Sequence, residues 1–259
     1  MGCFYLQRSL GENLLSVDGY HRGGGGVSGG TIESAFTMKN YKTNYSIGHP
    51  FLLNSKDFIE KQNKEASKDT FKIKYIESIK SWSAPFVMSI ANTRVVRRSV
   101  ELHELNQSGY GSDFTYKEFM NVKKYSSALM VSIGLAILGL MIVSPISSLF
   151  RKLFTKPGNG PDKKTRDNGW FESIFIGKNT NNEFYKLRIY GDGDPGYKTT
   201  AKFICESALC LVKSDGYLEN TNKGGVLTTA TGLGDHLIKR LKNADILFEG
   251  PEKIAKTIT

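Results

Sequence analysis

An uncharged, largely apolar segment in the middle of the chain constrains its fold more than any other feature. The segment runs from Tyr125 to Phe150, YSSALMVSIGLAILGLMIVSPISSLF, and contains 26 residues without a charged side chain. A straight helix of that length would measure about 39 Å, which exceeds the ~30 Å hydrocarbon core of a bilayer. Buried helices of water-soluble domains rarely continue so far without a charge. The segment therefore predicts contact with a membrane.

The flanks of this segment are basic, with Lys123 and Lys124 on one side and Arg151 and Lys152 on the other. Such side chains can reach lipid headgroups. More Lys and Arg residues follow the segment than precede it, which for a spanning helix would place its C-terminal side in the cytosol. Gly134, Gly139 and Pro145 are expected to interrupt the run, and Pro145 also removes a backbone donor and tends to kink a helix. A bent insertion into one leaflet is therefore the alternative to a span.

The 259-residue chain otherwise has the composition of a folded protein, with 39% hydrophobic and 23% charged residues. A net charge of +10 is typical of proteins that bind nucleic acid or an anionic membrane surface. The basic residues are spread out and form no zinc-finger or RNP-like pattern, so no nucleic-acid partner is expected. The cysteines, Cys3, Cys205 and Cys210, are odd in number and irregularly spaced, which argues against a disulfide framework and against a metal site.

A glycine-rich stretch near the N-terminus, RGGGGVSGGTIESAF over residues 22–36, could form a phosphate-binding turn. It holds the spacing G-x-G-x-x-G at Gly24, Gly26 and Gly29. A strand is predicted before it over 13–21, and a helix is predicted after it over 31–38, with Thr31 as the N-cap residue. We call the segment between this strand and helix the glycine turn.

The rest of a dinucleotide-binding fingerprint does not follow the glycine turn. Such a fingerprint joins the first strand and helix of a βαβ unit and needs an acidic residue about 20 positions later. The acids that follow are Glu33, inside the predicted helix, and Asp57, which is too distant. Two interpretations therefore stay open: the turn presents backbone N–H groups to an anion, or its glycines only permit positive φ and close packing.

A group of arginines is the second candidate binding feature. The apolar spacing over 86–105 predicts a helix, and its apolar positions are Val87, Ile90, Ala91 and Val95. Arg94, Arg97 and Arg98 fall close together on a neighbouring face, where they can bind a cofactor phosphate or a substrate carboxylate. A solvated or lipid-facing basic face is the alternative. The candidate cofactor- or substrate-binding residues are thus Gly26, Ser28, Gly29, Gly30, Thr31, Arg94 and Arg97; no catalytic residue is identified.

The remaining pattern predicts one mixed α/β domain that the apolar segment interrupts. Further predicted elements are a solvated loop or irregular helix over 54–80, a strand over 183–191, helices over 197–213 and 233–243, and a strand over 246–249. The expected organisation is a first part of the domain over 1–122, the membrane-contacting segment over 123–152, a linker over 153–168 that is rich in Pro, Gly and charge, and a second part over 169–259.

Six motifs occur in an order that resembles a known family. They are GGGGVSGGTIESAF, IGHPFLL, IANTRVVRRSVEL, YGSDFTYKEFM, GDGDPGYKTTAKFICESALCLV and GGVLTTATGLGDHLIKRLKNADILFE. Together they resemble the C-terminal two-thirds of the saccharopine dehydrogenase-like oxidoreductases, which include the trans-acting enoyl reductases. The resemblance covers about residues 10–249. It implies an α/β fold with a mixed sheet, the second domain of a Rossmann-type oxidoreductase.

The resemblance also bears on the cofactor. In that family an N-terminal Rossmann domain binds NAD(P) through its own glycine fingerprint, which lies upstream of anything in this sequence. NAD(P) is therefore the implied cofactor, but binding by this chain alone is not expected. The resemblance implies that the glycine turn belongs to the second domain and faces the cleft. It also implies that the chain is a truncated form, or a subunit that borrows a nucleotide domain.

The membrane prediction gains detail from the same family. Its members are similar in carrying an apolar segment after the motif that is YGSDFTYKEFM here. Because the strands before and after that segment belong to one domain, both flanks are expected on the same side of the membrane, which favours a bent insertion. The expected partners are a lipid membrane or lipid-droplet surface and a second copy in a homodimer. The expected location is the cytosolic side of lipid droplets, the endoplasmic reticulum or the mitochondrial outer surface.

Two functions stay open at this stage. The first is an NAD(P)-dependent reductase of lipid metabolism, for which this chain supplies the substrate domain. In such an enzyme the cofactor carries the chemistry, so the absence of an obvious catalytic triad is expected. The second is a non-catalytic, membrane-anchored protein that binds lipid or a partner protein.

Overall fold

The computed structural model describes residues 1–11, 13–26, 28–38, 48–104, 110, 114–151, 154, 158–213 and 225–255. The strands are β1 (Leu14–Gly24), β2 (Lys74–Ile76), β3 (Ser81–Pro85), β4 (Thr115–Val122), β5 (Trp170–Asn179), β6 (Phe184–Asp192) and β7 (Leu247–Ile254). The helices are α1 (Gly2–Leu10), α2 (Gly29–Met38), α3 (Lys56–Glu60), α4 (Ser89–Glu104), α5 (Tyr125–Val143), α6 (Ser147–Arg151), α7 (Lys163–Asp167), α8 (Lys198–Lys213), α9 (Thr229–Gly232) and α10 (Gly234–Asn243).

The described strands form a single mixed sheet in the order β2-β3-β4-β1-β5-β6-β7. β1 and β4 pair in parallel, and every other described pair is antiparallel. The predicted α/β class with a mixed sheet is therefore confirmed. β2 and β3 precede β4 in the chain, so the crossover from β1 to its parallel neighbour is not the compact βαβ unit of a dinucleotide-binding half.

The main core lies on one face of this sheet. Side chains that alternate along the central strands point to it, among them Val17 of β1, Tyr116 of β4 and Phe175 of β5. Helices α1, α4, α8 and α10 cover that face through Leu6, Val100, Cys210, Leu237 and Leu241. The opposite face carries a smaller cluster in which the rings of Tyr20 and Phe119 stack 5.3 Å apart.

Several elements lie where the sequence pattern predicts them. The strand predicted over 13–21 is β1, which extends to Gly24, and the helix predicted after the glycine turn is α2. The predicted strand over 183–191, the two later helices and the last strand correspond to β6, α8, α10 and β7. The region 54–80, predicted as solvated, contains α3, whose Phe58 and Ile59 are buried, as well as β2.

The orientation of α4 differs from the prediction. Its predicted apolar face is exposed: Val87, just before the helix, is 46% exposed, and Ile90 and Val95 are 39% and 43% exposed. The buried side chains include Arg94 and Arg97 instead. The physical reason is that both arginines donate hydrogen bonds to backbone carbonyl oxygens of segments that pack on α4.

The apolar segment forms helix α5 directly after β4. The helix ends at Val143, and the backbone N–H of Ser144 closes its last turn on Leu140 O, just before Pro145. The predicted interruption at Pro145 is thus confirmed, whereas those at Gly134 and Gly139 are wrong, because α5 continues through both. Within the described residues, α5 is one helix that is long and apolar enough to cross a membrane by length and composition, with a mean hydropathy of 2.3. Only 6% of the most apolar 18-residue stretch of this helix is buried inside the protein.

Candidate functional site at the carboxyl ends of the parallel strands

The glycine turn lies at the carboxyl end of β1, and its glycines are packed against the chain itself. A Cβ at Gly26 would lie 2.6 Å from Cβ of Pro161, and a Cβ at Gly25 would lie 2.6 Å from Cβ of Asp194. These glycines therefore permit the close approach of two other segments of the protein. The described part of the predicted linker, 158–168, is one of those segments and contains α7.

The backbone N–H groups at the start of α2 are mostly engaged. Gly29 N donates to Asn159 O at 3.2 Å, and Thr31 N donates to the hydroxyl of Ser28 at 3.0 Å. The helix therefore begins at Gly29 with Ser28 as its capping side chain, and the prediction of Thr31 as the N-cap is wrong because the capping hydroxyl lies three residues earlier. Ser28 and Thr31 also join their hydroxyls at 2.9 Å.

The charge beside the glycine turn is negative. The carboxylate of Asp194 is fully buried and accepts hydrogen bonds from the backbone N–H of Tyr197 and Lys198, at 3.0 and 2.9 Å. It thereby caps the start of α8. A carboxylate in this position repels a phosphate, and the packed glycines leave no cradle for one. In contrast, among the described residues only the Ser28 hydroxyl, at 3.7 Å, lies within 4 Å of a Cβ placed at Gly30.

Arg94 and Arg97 lie in a different part of the molecule and use their donors internally. Arg94 is 3% exposed; it pairs with Asp69 at 2.5 Å and donates to Gly48 O at 3.0 Å. Arg97 is equally buried and donates to the carbonyl oxygens of Pro50, Ser67 and Tyr116 at 2.7, 2.6 and 3.0 Å. Burial lowers the pKa of Arg97 to about 10.

These contacts give the two arginines a structural task. Their hydrogen bonds and the ion pair hold the segments around 48–50 and 67–69 against α4. Arg97 also binds α4 to β4 through Tyr116 O. Within the described residues, neither arginine contacts the glycine turn, so the two groups of candidate binding residues do not form one site. Arg98, the third arginine of the predicted group, pairs instead with Glu101 at 2.8 Å.

A polar cluster that sequence reasoning missed lies within the parallel pair of β1 and β4. Its centre is Glu118 of β4, which is 6% exposed. Glu118 accepts hydrogen bonds from the hydroxyl of Tyr116 at 2.8 Å and from the side-chain amide of Asn92 at 2.9 Å. Nε2 of His21, on β1, lies 3.7 Å from the carboxylate. We call His21, Asn92, Tyr116, Glu118 and Ser173 the Glu118 cluster.

The histidine of this cluster is held on both sides. Its Nδ1 lies 2.9 Å from the hydroxyl of Ser173, and its ring contacts Phe86 and Phe175, with centroids 5.0 and 5.7 Å away. A Cβ at Gly19 would lie 2.9 Å from Nε2 of His21, so glycine at that position makes room for the ring. The sequence signal was an acid on the inward-facing side of a strand, two residues after Tyr116, but only the pairing of β1 with β4 brings the histidine beside it.

The cluster has the chemistry of a proton-exchanging or hydrogen-bonding site. It combines a carboxylate, an imidazole, a phenol and an amide within the parallel pair β1 and β4. Burial raises the pKa of Tyr116 well above its ordinary value, so the phenol stays protonated and can donate. Within the described residues, no group of three or more His, Cys, Asp or Glu side chains is arranged to hold a metal ion.

The fold and the site define a mixed α/β domain with a polar cluster between its two parallel strands and a glycine turn at the carboxyl end of one of them. No family model matches this chain, and no solved structure does. The chain is 35% identical over 176 residues to a protein of Mycobacterium tuberculosis named putative trans-acting enoyl reductase. It is 31% identical over 175 residues to the trans-acting enoyl reductase of Mycobacterium bovis and 30% identical over 174 residues to that of Mycobacterium ulcerans.

The similarity covers much of this chain but less of the relatives. It spans 65% of this chain and 41% of the Mycobacterium tuberculosis protein, and 64% and 40% for the other two. The chain thus matches about two fifths of the length of these curated relatives. The predicted resemblance to trans-acting enoyl reductases is supported by these matches, and the wider link to saccharopine dehydrogenases stays a prediction.

Proposed function

We propose that this chain is the substrate domain of a nicotinamide-dependent reductase of lipid metabolism, a saccharopine dehydrogenase-like oxidoreductase related to the trans-acting enoyl reductases. The observation that carries the proposal is the 35% identity over 176 residues to a protein of that name. The six ordered motifs resemble the same family. The activity of the whole reductase is a proposal here because the similarity covers only two fifths of the relatives.

The surroundings of the Glu118 cluster support the proposal that this chain binds the substrate. Phe86 stacks on the histidine of the cluster, and Asn92 donates to its carboxylate. Between these two residues along the chain, Val87, Met88 and Ile90 are 46%, 38% and 39% exposed. An exposed apolar surface beside a buried polar cluster suits a substrate with an apolar chain and a polar reactive end.

The cofactor is NAD(P)H, which supplies a hydride when bound to a reductase. The glycine turn does not fit its pyrophosphate, because Asp194 and Pro161 fill the space beside Gly25 and Gly26 and the N–H groups of Gly29 and Thr31 are engaged. We therefore propose that the nucleotide is held elsewhere than at the glycine turn, and we assign no reaction step to this turn.

A titration of the detergent-solubilised chain tests both halves of the proposal. NADPH binding is followed through the fluorescence of Trp82 and Trp170, and binding of a medium-chain trans-2-enoyl thioester is followed through the ring resonances of His21. We expect the thioester to shift those resonances saturably and the variant Glu118→Gln to weaken its binding at least tenfold. We expect Gly26→Val to leave any NADPH binding unchanged in variant protein whose folding circular dichroism verifies. Loss of NADPH binding by folded Gly26→Val protein would identify the glycine turn as the nucleotide site.

A non-catalytic protein is the second candidate function. The observation that favours it is the same packing of the glycine turn, together with a long and exposed α5. In that case the chain anchors to a membrane and binds lipid or a partner protein without turnover. Absence of thioester binding supports this candidate, whereas oxidation of NADPH by the chain alone excludes it.

We also propose that the chain works at a lipid surface, either a membrane or a lipid droplet, with its sheet on the cytosolic side. The exposed apolar helix α5 and the net charge of +10 support this location. The homodimer that the family resemblance implies remains a proposal as well. Light scattering of the protein in detergent tests the homodimer by measuring its molar mass. The mass of a single chain would contradict the homodimer.

A further inference from the structure

The outward side of α5 is as apolar as a lipid-facing helix requires. Large apolar side chains recur there at helical spacing and are 42–73% exposed: Leu129, Met130, Ile133, Ile137, Leu140 and Val143. A helix of a water-soluble domain normally turns charged or polar residues to solvent on this side. Ala128, which is fully buried, marks the side that packs on the domain.

Both flanks of this helix contact the end of the sheet at which the parallel strands β1 and β4 have their carboxyl ends. At its start, the ring of Tyr125 packs against Trp82 of β3, with centroids 5.0 Å apart. Beyond its end, Arg151 of α6 donates to Glu33 of α2 at 2.7 Å. Glu33 is only about 6 Å along α2 from the start of that helix, beside the carboxyl end of β1. α5 itself begins just after the carboxyl end of β4, the parallel neighbour of β1.

This attachment favours one of the two membrane topologies. A spanning α5 of 19 residues, about 28 Å long, would carry its C-terminal flank to the other side of the bilayer. Arg151 would then be roughly 30 Å from the sheet edge at which Tyr125 starts. The contact between Arg151 and Glu33 is incompatible with that separation.

An aromatic and basic collar surrounds the start of α5. The rings of Tyr75, Trp82 and Tyr125 form a ladder, with centroids 5.3 and 5.0 Å apart, and the two tyrosines are 40% and 52% exposed. Lys123 and Lys124, immediately before the helix, are also exposed. Trp and Tyr favour the headgroup level of a membrane, and Lys favours anionic headgroups.

We infer that α5 and α6 form a bent insertion into one leaflet of an anionic phospholipid surface, with the collar of Tyr75, Trp82, Tyr125, Lys123 and Lys124 at headgroup depth. The insertion enters and leaves the lipid on the side that carries the sheet. The inference rests on the lipid location within the proposed function and is independent of its catalytic part. Failure of the enzyme assays and failure of lipid binding are therefore separate results.

Flotation with sealed vesicles of phosphatidylcholine and phosphatidylserine tests the surface. We expect the full chain to float, the double variant Ile137→Lys, Leu140→Lys to lower the bound fraction at least tenfold, and high salt to weaken binding. The matched control is Val226→Lys, at an exposed apolar residue outside α5 that is 92% exposed, and it is expected to float normally. Equal loss in the control, or a chain that stays unbound as a self-associated oligomer, overturns the inference.

Cysteine labelling of the flanks tests the topology. Cys205 is the exposed native cysteine among the three free ones and is replaced by serine. Single cysteines at Lys123→Cys and Asn159→Cys then report the two flanks, since both positions are exposed. With protein added to preformed vesicles, a membrane-impermeant maleimide is expected to label both positions equally without detergent. Protection of one flank alone means a span and overturns the inference.

Depth-dependent quenching tests the collar. In the variant Trp170→Phe, Trp82 is the remaining tryptophan. We expect a blue-shifted emission on vesicle binding and stronger quenching by lipids brominated near the headgroup than by lipids brominated at the chain end. Emission that vesicles leave unchanged, or that the deep quencher reduces more, contradicts the placement of the collar.

Discussion

Two glycines of the glycine turn differ in what lies beside them, and this difference separates a packing role from a binding role. A Cβ at Gly26 would meet Pro161 at 2.6 Å, whereas a Cβ at Gly30, inside α2, would meet only the Ser28 hydroxyl, at 3.7 Å, among the described residues. We expect Gly26→Ala to lower the free energy of unfolding by about 1–3 kcal/mol through overpacking, and Gly30→Ala to raise it by about 0.5–1 kcal/mol through helix propensity. Urea denaturation of both variants measures this. Equal effects of the two variants would contradict a packing role for Gly26.

Asp18 is a single residue whose protonation is coupled to folding. Burial raises its pKa from 3.8 to about 6, against the opposing effect of Lys117 and Lys74. Because the folded-state pKa lies above that of the unfolded chain, the ionised carboxylate destabilises the fold above that pKa, and the effect disappears near pH 4. We expect Asp18→Asn to raise the free energy of unfolding by about 2–3 kcal/mol at pH 8 and to leave it unchanged at pH 4. Urea unfolding at both pH values is the measurement; a gain that does not depend on pH would have another cause.

At the scale of the elements, α4 shows where a sequence pattern stops being sufficient. The periodic spacing of Val87, Ile90 and Val95 predicted the helix correctly, but the face that it buries is the one with Arg94 and Arg97. Such patterns are local: alternation of apolar residues placed the strands β1 and β6 well, and helical signals placed α2, α8 and α10. The carbonyl oxygens that bind the arginines belong to 48–50, 67 and β4, which are distant along the chain. The local sequence pattern of α4 therefore cannot show that these carbonyl oxygens bind its arginines.

The candidate site likewise has features that the local sequence predicts and features that arise only from contacts between distant segments. The glycine turn was visible as composition, and its position between β1 and α2 followed from the residues around it. Its packing against Pro161 and Asp194 was not visible, because those residues lie over 130 positions later. The Glu118 cluster depends on the parallel pairing of β1 with β4, which brings His21 beside Glu118. Chemistry that arises from pairing of distant strands leaves only a weak local signal, here one acid on an inward-facing position.

The buried polar face of α4 can be tested as an element. Removing Arg97 leaves three carbonyl oxygens without their charged donor. Removing Arg98 takes one partner from the buried carboxylate of Glu101, which keeps its hydrogen bonds from Asn54 and Ser55. We expect Arg97→Met to lower the free energy of unfolding by about 3 kcal/mol or more, and Arg98→Met, the matched control, by about 1 kcal/mol or less. Urea unfolding compares them. If Arg97→Met were as mild as the control, the arginine would be free for a ligand.

At the scale of the whole molecule, the apolar segment separates two stretches of chain that share one sheet. β1 pairs with β5 over most of its length, from Leu14 opposite Asn179 to Gly24 opposite Trp170. The main core also mixes the stretches, since Leu6 and Val17 precede α5 and Leu187 and Leu237 follow it. Neither stretch can therefore bury its apolar surface alone, which is the criterion for an independent domain.

This shared core predicts how the protein responds to cutting. A fragment of residues 158–259 expressed alone is expected to stay unfolded, because β5 loses its neighbour β1 and the helices α8 and α10 lose half of the core they cover. Coexpression with 1–154 is expected to restore a folded complex, since the break falls outside every strand of the sheet. Amide dispersion in NMR spectra of the separate and coexpressed fragments measures this, with copurification through a tag on 1–154 as the second readout. A well-dispersed spectrum of 158–259 alone would mean that β5, β6 and β7 fold as a unit of their own, with the apolar insertion joining two domains rather than interrupting one.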